Sequence, residues 1–463
     1  MSAPVYVNLT DKGFLRLHRG NGTPVIGQIL AVLDHRLTDE QLISMYRLRT
    51  AGSSMRRVYR PIVPFARWRW VPTDTALPLT VERAAIDEVD VLAWANEQAQ
   101  FPLDPAGGYG WRLSAVPLRS GGMAVSIIAD HAIADGHAGL MGLTGMVDPE
   151  FATKDGLGKV VDLRGDLADG MRRSVLVARQ AASELRRAAR DPQHRAAIGR
   201  ALLTREPVVE PEPMGWRETS VVVSIDAQHW KQVAARHGGT SNTLYLALAA
   251  DTLRRCSLIG PDTPLVLATA VRLLREHNQH DSNSFSRVPV PVQREWLDRR
   301  ELDPIRRMSK AAFANANEVG SGAVSRPRNM PPDLIDVLPA GVVDRLVEPP
   351  PITIGMCSNM GVLDPFVPKD MRANGGPSLF VARGAFQKLD TRRAARQPIA
   401  LASWYSEYGG RVQWVLEGLK PEMAQSDSEL AALARDIAES WGLQPLRIHT
   451  GGANAAVASK EML

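Results

Sequence analysis

The six residues His131-Ala132-Ile133-Ala134-Asp135-Gly136 decide how this chain is read. They spell His-x-x-x-Asp-Gly directly behind Met123 to Ala129, an apolar run that predicts a buried strand. A histidine at the end of a strand can present its imidazole to a cleft, where a pKa near neutrality suits it to take a proton from a hydroxyl. Asp135 is close enough in sequence to brace the turn, and Gly136 admits backbone geometry that a side chain would forbid. A second pair at the same spacing, His277 and Asp281, is followed by Ser282 inside the wholly polar run Glu276 to Asn283. That run is expected to be a solvated loop, so His131 carries the catalytic reading.

Outward from the motif, Trp111 to Leu118 and Met123 to Ala129 flank Arg119-Ser120-Gly121-Gly122, a hairpin signal. Gly136 to Leu143 can begin a helix. Val25 to Leu33 reads as a further buried strand, and Thr38-Asp39-Glu40-Gln41 has the form of a capping box opening a helix through about Leu48. Arg60 to Thr73, with Trp68 and Trp70 among prolines, predicts an extended packed segment, and Val89 to Gln98 a second helix. The first half is therefore expected to be an α/β sandwich.

Glu206 to Pro213, with prolines at 207, 211 and 213, reads as a linker, after which the pattern restarts. Ser220 to Ile225 and Leu265 to Val271 are expected strands. Ala227 to His237 is a helix stopped by Gly238-Gly239, and Thr240 or Ser241 caps another through Arg255. Ile352 to Cys357 leads into Ser358-Asn359-Met360-Gly361. Ile399 to Trp404 and Val412 to Leu416 form a hairpin around Gly409-Gly410. Gly320 to Met330 is expected to be a crossover loop. At 463 residues the chain exceeds one hydrophobic core, so the expected division is 1–205, a linker over 206–216, and 217–463.

Composition excludes several classes. Hydrophobic content of 44% and charged content of 23% are those of a globular protein. No apolar run approaches the roughly 18 residues of a membrane span, and Met1 to Phe14 has no basic region leading into an apolar core. Cys256 and Cys357 are the only cysteines, which excludes a disulfide framework and a CxxC metal site, so no metal is expected and a cytoplasmic location fits. The net charge of +5 is compatible with anionic ligands or surfaces. Much of that charge lies in Leu163 to Arg205, where ten arginines face four acids. Val175, Leu176, Ala178, Ala182 and Leu185 give this segment a partial apolar stripe. It reads either as a solvated connecting helix or as a basic amphipathic helix on an anionic membrane surface. No aromatic residue punctuates it, and nothing in it resembles nucleic-acid readout.

Taken together, these residues resemble the CoA-dependent acyltransferase superfamily, and most closely the bacterial wax ester synthase/diacylglycerol acyltransferases, over nearly the whole chain. Phe101-Pro102-Leu103-Asp104 ahead of Trp111 is similar to that group's stretch before the motif strand. Val271-Arg272 with Asn283 resembles its strand-ending arginine and downstream asparagine, and Ser358-Asn359-Met360-Gly361, with Gly384-Ala385 after it, its Ser-Asn element. Three departures stand out. Asp130 occupies the place of a first histidine, Tyr109-Gly110-Trp111 replaces proline-leucine-tryptophan, and Met360-Gly361-Val362 lacks a proline-glycine-proline run.

The resemblance implies two chloramphenicol-acetyltransferase-like lobes with His131 midway along a tunnel between them. It implies His131 as general base, with no acyl-enzyme, which agrees with the absence of a GxSxG elbow. Ser358, Asn359 or a backbone N–H near Gly136 would serve the oxyanion. Asp135 would be structural and pair with Arg272 across the lobes, with Arg275 the next partner in line. No cofactor is implied beyond acyl-CoA as donor substrate, and the acceptor would be a hydroxyl-bearing, apolar molecule. Two alternatives stay open: a condensation or transesterification enzyme fed by a phosphopantetheine arm on an acyl carrier protein, and a non-catalytic acyl- or partner-binding scaffold.

Overall fold

The computed structural model describes residues 4–144, 157, 162–203, 215–256, 260, 264–272, 282–314, 316, 331–338, 342–343, 355–372 and 375–451. The motif strand, Met123–Asp130, is buried at every position. Its alternation explains why. Met123, Val125 and Ile127 face a cluster that includes Leu42 and Met45 of the helix Asp39–Ala51. Ala124 faces the opposite way, into a cluster holding Val222, Ala402, Trp404 and Val415. One side of the strand is thus covered by the helix Asp39–Ala51, and the other by the helix Val91–Ala99, which shares its apolar cluster with strands of a second sheet.

The first sheet has five strands in the order Leu379–Phe386, Val25–Leu33, Met123–Asp130, Trp111–Pro117 and Thr80–Val81. The second has seven, in the order Phe285–Val292, Leu265–Arg272, Gly355–Val362, Leu401–Tyr408, Arg411–Gly418, Thr219–Asp226 and Pro445–Thr450. A three-stranded sheet, Val5–Tyr6, Arg69–Pro72 and Arg56–Tyr59, lies beside the N-terminal helix Leu9–Arg16. Beneath the larger sheet runs the helix Ser241–Arg255, buried from Thr243 to Leu253. This is the two-lobed α/β arrangement expected from the sequence.

The sheets do not divide where the sequence does. Leu379–Phe386 comes from the second half but pairs antiparallel with Val25–Leu33, from Leu379 opposite Val32 to Phe386 opposite Val25. A boundary at 206–216 therefore does not separate the lobes, and residues 204–214 lie outside the described ones. On this crossover strand Arg383 reaches the larger sheet, donating to Glu417 at 2.7 Å and to the Ser220 hydroxyl at 2.6 Å. Both members of this ion pair are fully buried.

Thr38 and Gln41 make both hydrogen bonds of the capping box, and Gly121 turns the hairpin at φ +96°. The basic segment is two helices, Leu163–Arg190 and Pro192–Leu203, broken where Pro192 starts a new first turn. Glu276 to Asp281, including His277, and Gly320 to Met330 fall outside the described residues. No described helix is long and apolar enough to cross a membrane.

Candidate active site

His131 leaves the motif strand with its backbone N–H bonded to Val25 O at 3.0 Å. Its imidazole is half-buried, stacked on Phe14 with ring centroids 4.2 Å apart and flanked edge-on by Phe285. Nδ1 lies 3.0 Å from Asn283 Oδ1. The other end of the Asn283 amide settles the proton's place. Asn283 Nδ2 donates to the His131 carbonyl at 2.7 Å and to Asp11 Oδ1 at 2.9 Å. Because both are acceptors, the oxygen of the amide must face the ring, and Nδ1 must carry the hydrogen. Nε2 is then the unprotonated nitrogen, and it has no hydrogen-bond partner among the described residues.

Asp11 anchors this chain from the N-terminal helix. It is fully buried and also accepts from Trp70 Nε1 at 3.0 Å and from the Asn8 backbone at 3.1 Å. Burial pushes its pKa up to about 6, against these donors. Burial also holds the His131 pKa below its ordinary value, with Asp135, Asn283 and Asp130 pulling the other way. Burial thus favours the neutral imidazole.

Asp130 ends the motif strand fully buried. Its buried carboxylate accepts from the Ala132 N–H at 2.8 Å and lies 2.6 Å from His18 Nε2. Asp135 caps the helix Gly136–Thr144 by accepting from the Ala138 N–H at 2.9 Å, and its other oxygen accepts from Ser284 N–H at 3.1 Å. It thus ties the motif turn to the segment carrying Asn283. Arg272 is not its partner. The Arg272 guanidinium donates to His137 Nε2 at 2.7 Å, because the strand ends beside the helix rather than beside its cap. Arg275 lies outside the described residues. The buried ion pair between sheets is Arg383–Glu417 instead.

Gly136 faces Met360 so closely that a Cβ there would meet the methionine methyl at 2.5 Å. This contact brings the strand Gly355–Val362 to the motif. Ser358 stands on the same side, its hydroxyl 3.6 Å from Met360 Sδ, while its backbone N–H donates to the Tyr245 hydroxyl. Asn359 alternates away: its amide donates to Asn242 at 2.8 Å and accepts from Gly361 N–H. Of the three oxyanion candidates, Ser358 Oγ and the Gly136 N–H stay near the motif, and Asn359 does not.

A cavity of about 770 Å³ opens on the far side of the N-terminal helix. Arg16, Arg19, Arg60 and Arg173 line it together with Leu9 and Trp68. It touches the motif through His18, the partner of Asp130; His131 is not among its lining residues. No cluster able to hold a metal ion occurs among the described residues.

No family model and no curated protein sequence matches the chain. Solved structures do. The wax ester synthase/diacylglycerol acyltransferase from Marinobacter aquaeolei VT8 superimposes with a TM-score of 0.52 at 15% identity, over 95% of this chain and 100% of that one. The first condensation domain of the CDA synthetase gives 0.55 at 13%, over 96% and 97%. The starter condensation domain of rhizomide synthetase, solved in complex with C8-CoA, gives 0.51 at 11%, over 96% of each chain. At these identities the likeness is one of fold. The chain has the two-lobed α/β fold shared by wax ester synthase/diacylglycerol acyltransferase and the condensation domains.

Proposed function

We propose that this protein transfers an acyl group from a CoA thioester to an alcohol, with His131 as general base. One observation carries the reading: the relay Asp11–Asn283–His131 fixes the hydrogen on Nδ1 and leaves the Nε2 lone pair free. In the reaction, Nε2 takes the acceptor O–H proton as that oxygen attacks the thioester carbonyl. The tetrahedral oxyanion is stabilised by Ser358 Oγ or the Gly136 N–H. Collapse breaks the C–S bond, and the imidazolium returns its proton to the leaving thiolate. Ester and free thiol are released, and no acyl-enzyme forms.

The fold is shared with both CoA-linked and carrier-linked chemistry, because a CoA thioester and a phosphopantetheine arm present the same reacting group. The condensation domains among the structural neighbours favour keeping the carrier-fed variant as the second reading. Apolar residues around the motif, Phe14, Phe285 and Met360 among them, suit a hydrophobic acyl or alcohol group.

Mass-spectrometric turnover with a panel of acyl-CoAs, acylated carrier proteins and alcohols tests the assignment. His131→Ala should lose about 10²–10⁴-fold in rate and melt near the wild-type temperature. Near-native rates in that variant would overturn the mechanism and leave a binding scaffold.

A further inference from the structure

The helix Leu163–Arg190 is built inside out. Its buried face is charged: Asp166 pairs with Arg69 at 3.1 Å, Asp169 with Arg67 at 2.7 Å, and Arg173 with Asp336 at 2.8 Å. Glu184 closes the row against His194 at 2.9 Å. Its outward face is apolar. Leu163, Leu167, Met171 and Val175 follow one another at one-turn spacing, and Leu185 lies in line with Leu167 about five turns on. Met171 and Leu185 are each 72% exposed. A helix with its carboxylates inside and its leucines outside is attached to the body by ion pairs and keeps its apolar side for something else.

What that is follows from charge. Every acid of the helix, Asp166, Asp169 and Glu184, is used on the inward side. Beside the apolar stripe stand Arg172, Arg179 and Arg186, seven residues apart along one edge, with Arg164 and Arg190 near the ends. None of these five forms an ion pair with a described residue. A second copy of this face would set arginine against arginine. Nucleic acid would meet the cations but leave the leucines in water. An anionic bilayer satisfies both, with headgroups taking the arginines and the acyl boundary taking the stripe.

We propose that the outward face of Leu163–Arg190 docks the protein on anionic lipid, lying in the interface rather than crossing it. At about 42 Å the helix is long enough to orient the whole molecule. The orientation has a use. Arg173, on its inward side, lines the 770 Å³ cavity, so docking would set that cavity beside the lipid surface from which an apolar substrate comes. The docking surface stands independently of the acyl-transfer reading.

Flotation of the full chain with phosphatidylcholine vesicles, alone or containing about a third phosphatidylglycerol, tests it. Binding is expected only with phosphatidylglycerol and should weaken at high salt, since each arginine near such a surface changes partitioning about fivefold. The exposed triple variant Arg172→Gln/Arg179→Gln/Arg186→Gln and the pair Met171→Ser/Leu185→Ser should each lose binding while melting as wild type. Equal recovery with both vesicles, or either variant binding like wild type, overturns the proposal. So does light scattering that shows a dimer which Met171→Ser/Leu185→Ser converts to monomer.

Discussion

Around His131 and along Leu163–Arg190 the chain buries charge in opposite ways. At the motif, Asp11, Asn283 and Asp135 turn inward and all find partners, and the apolar rings of Phe14 and Phe285 close over the imidazole. On the basic helix the carboxylates also turn inward and find partners, but the apolar side chains are left outside. A buried carboxylate needs a donor or a cation in either place. At the motif that requirement fixes the position of one proton. On the helix it fixes the position of a whole surface.

Cutting the inward side of the helix should have the largest effect on the fold. Asp166→Ala leaves the buried Arg69 unpaired and should cost about 3–5 kcal/mol, read as a lower midpoint in urea. A loss below 1 kcal/mol would mean that Arg69 reaches water and that the ion pair does not attach the helix.

At the motif the corresponding cut should appear in the rate. Asn283→Ala removes the acceptor for Nδ1–H and should lower turnover about 10²-fold. Asn283→Asp sharpens the point through pH. In the proposed mechanism His131 works neutral, so activity should fall as pH drops through its pKa, which burial places below the ordinary value of 6.5. A carboxylate against Nδ1 raises that pKa, and the acid limb of the pH–rate profile should move to higher pH. Superimposable profiles would remove Asn283 from the proton's control.

Asp135 should affect stability and rate together. Asp135→Ala strips the cap from Gly136–Thr144 and the acceptor from Ser284 N–H, at about 1–3 kcal/mol, with lower activity because Asn283 is no longer held beside the ring. A variant that loses rate with an unchanged melting temperature would place Asp135 in the chemistry instead. Smallest is the outward side of the helix. Leu185→Ser should change stability by no more than about 0.5 kcal/mol, although it replaces a leucine. A larger loss would mean that the stripe is packed within the molecule.

Much of this was legible in the residues. The strand Val25–Leu33, the hairpin into the motif and the capping box at Thr38 are local signals, and local signals survive folding. Asn283 was visible only through resemblance, and Asp11 not at all. The helix Leu9–Arg16 is two turns long, and its one marker is an Asn8–Asp11 capping pair where serine or threonine with glutamate is usual. The Arg272 partner differs from the Asp135 that resemblance implies because a strand end points a side chain at whatever packs there, here His137. Nor does sequence distinguish an arginine stripe beside an outward apolar face from one beside an inward face. That distinction rests on Arg67, Arg69 and Asp336, about a hundred residues or more away from their partners.

The crossover strand has a consequence for how the chain is made. Until residues 379–386 leave the ribosome, Val25–Leu33 is an unpaired sheet edge of nine largely apolar residues, and at ordinary synthesis rates that interval lasts on the order of tens of seconds. The first lobe cannot be finished before the second is nearly complete. The nascent protein carries that edge uncovered through this interval, and a chain truncated at residue 205 should aggregate rather than fold as half of the molecule.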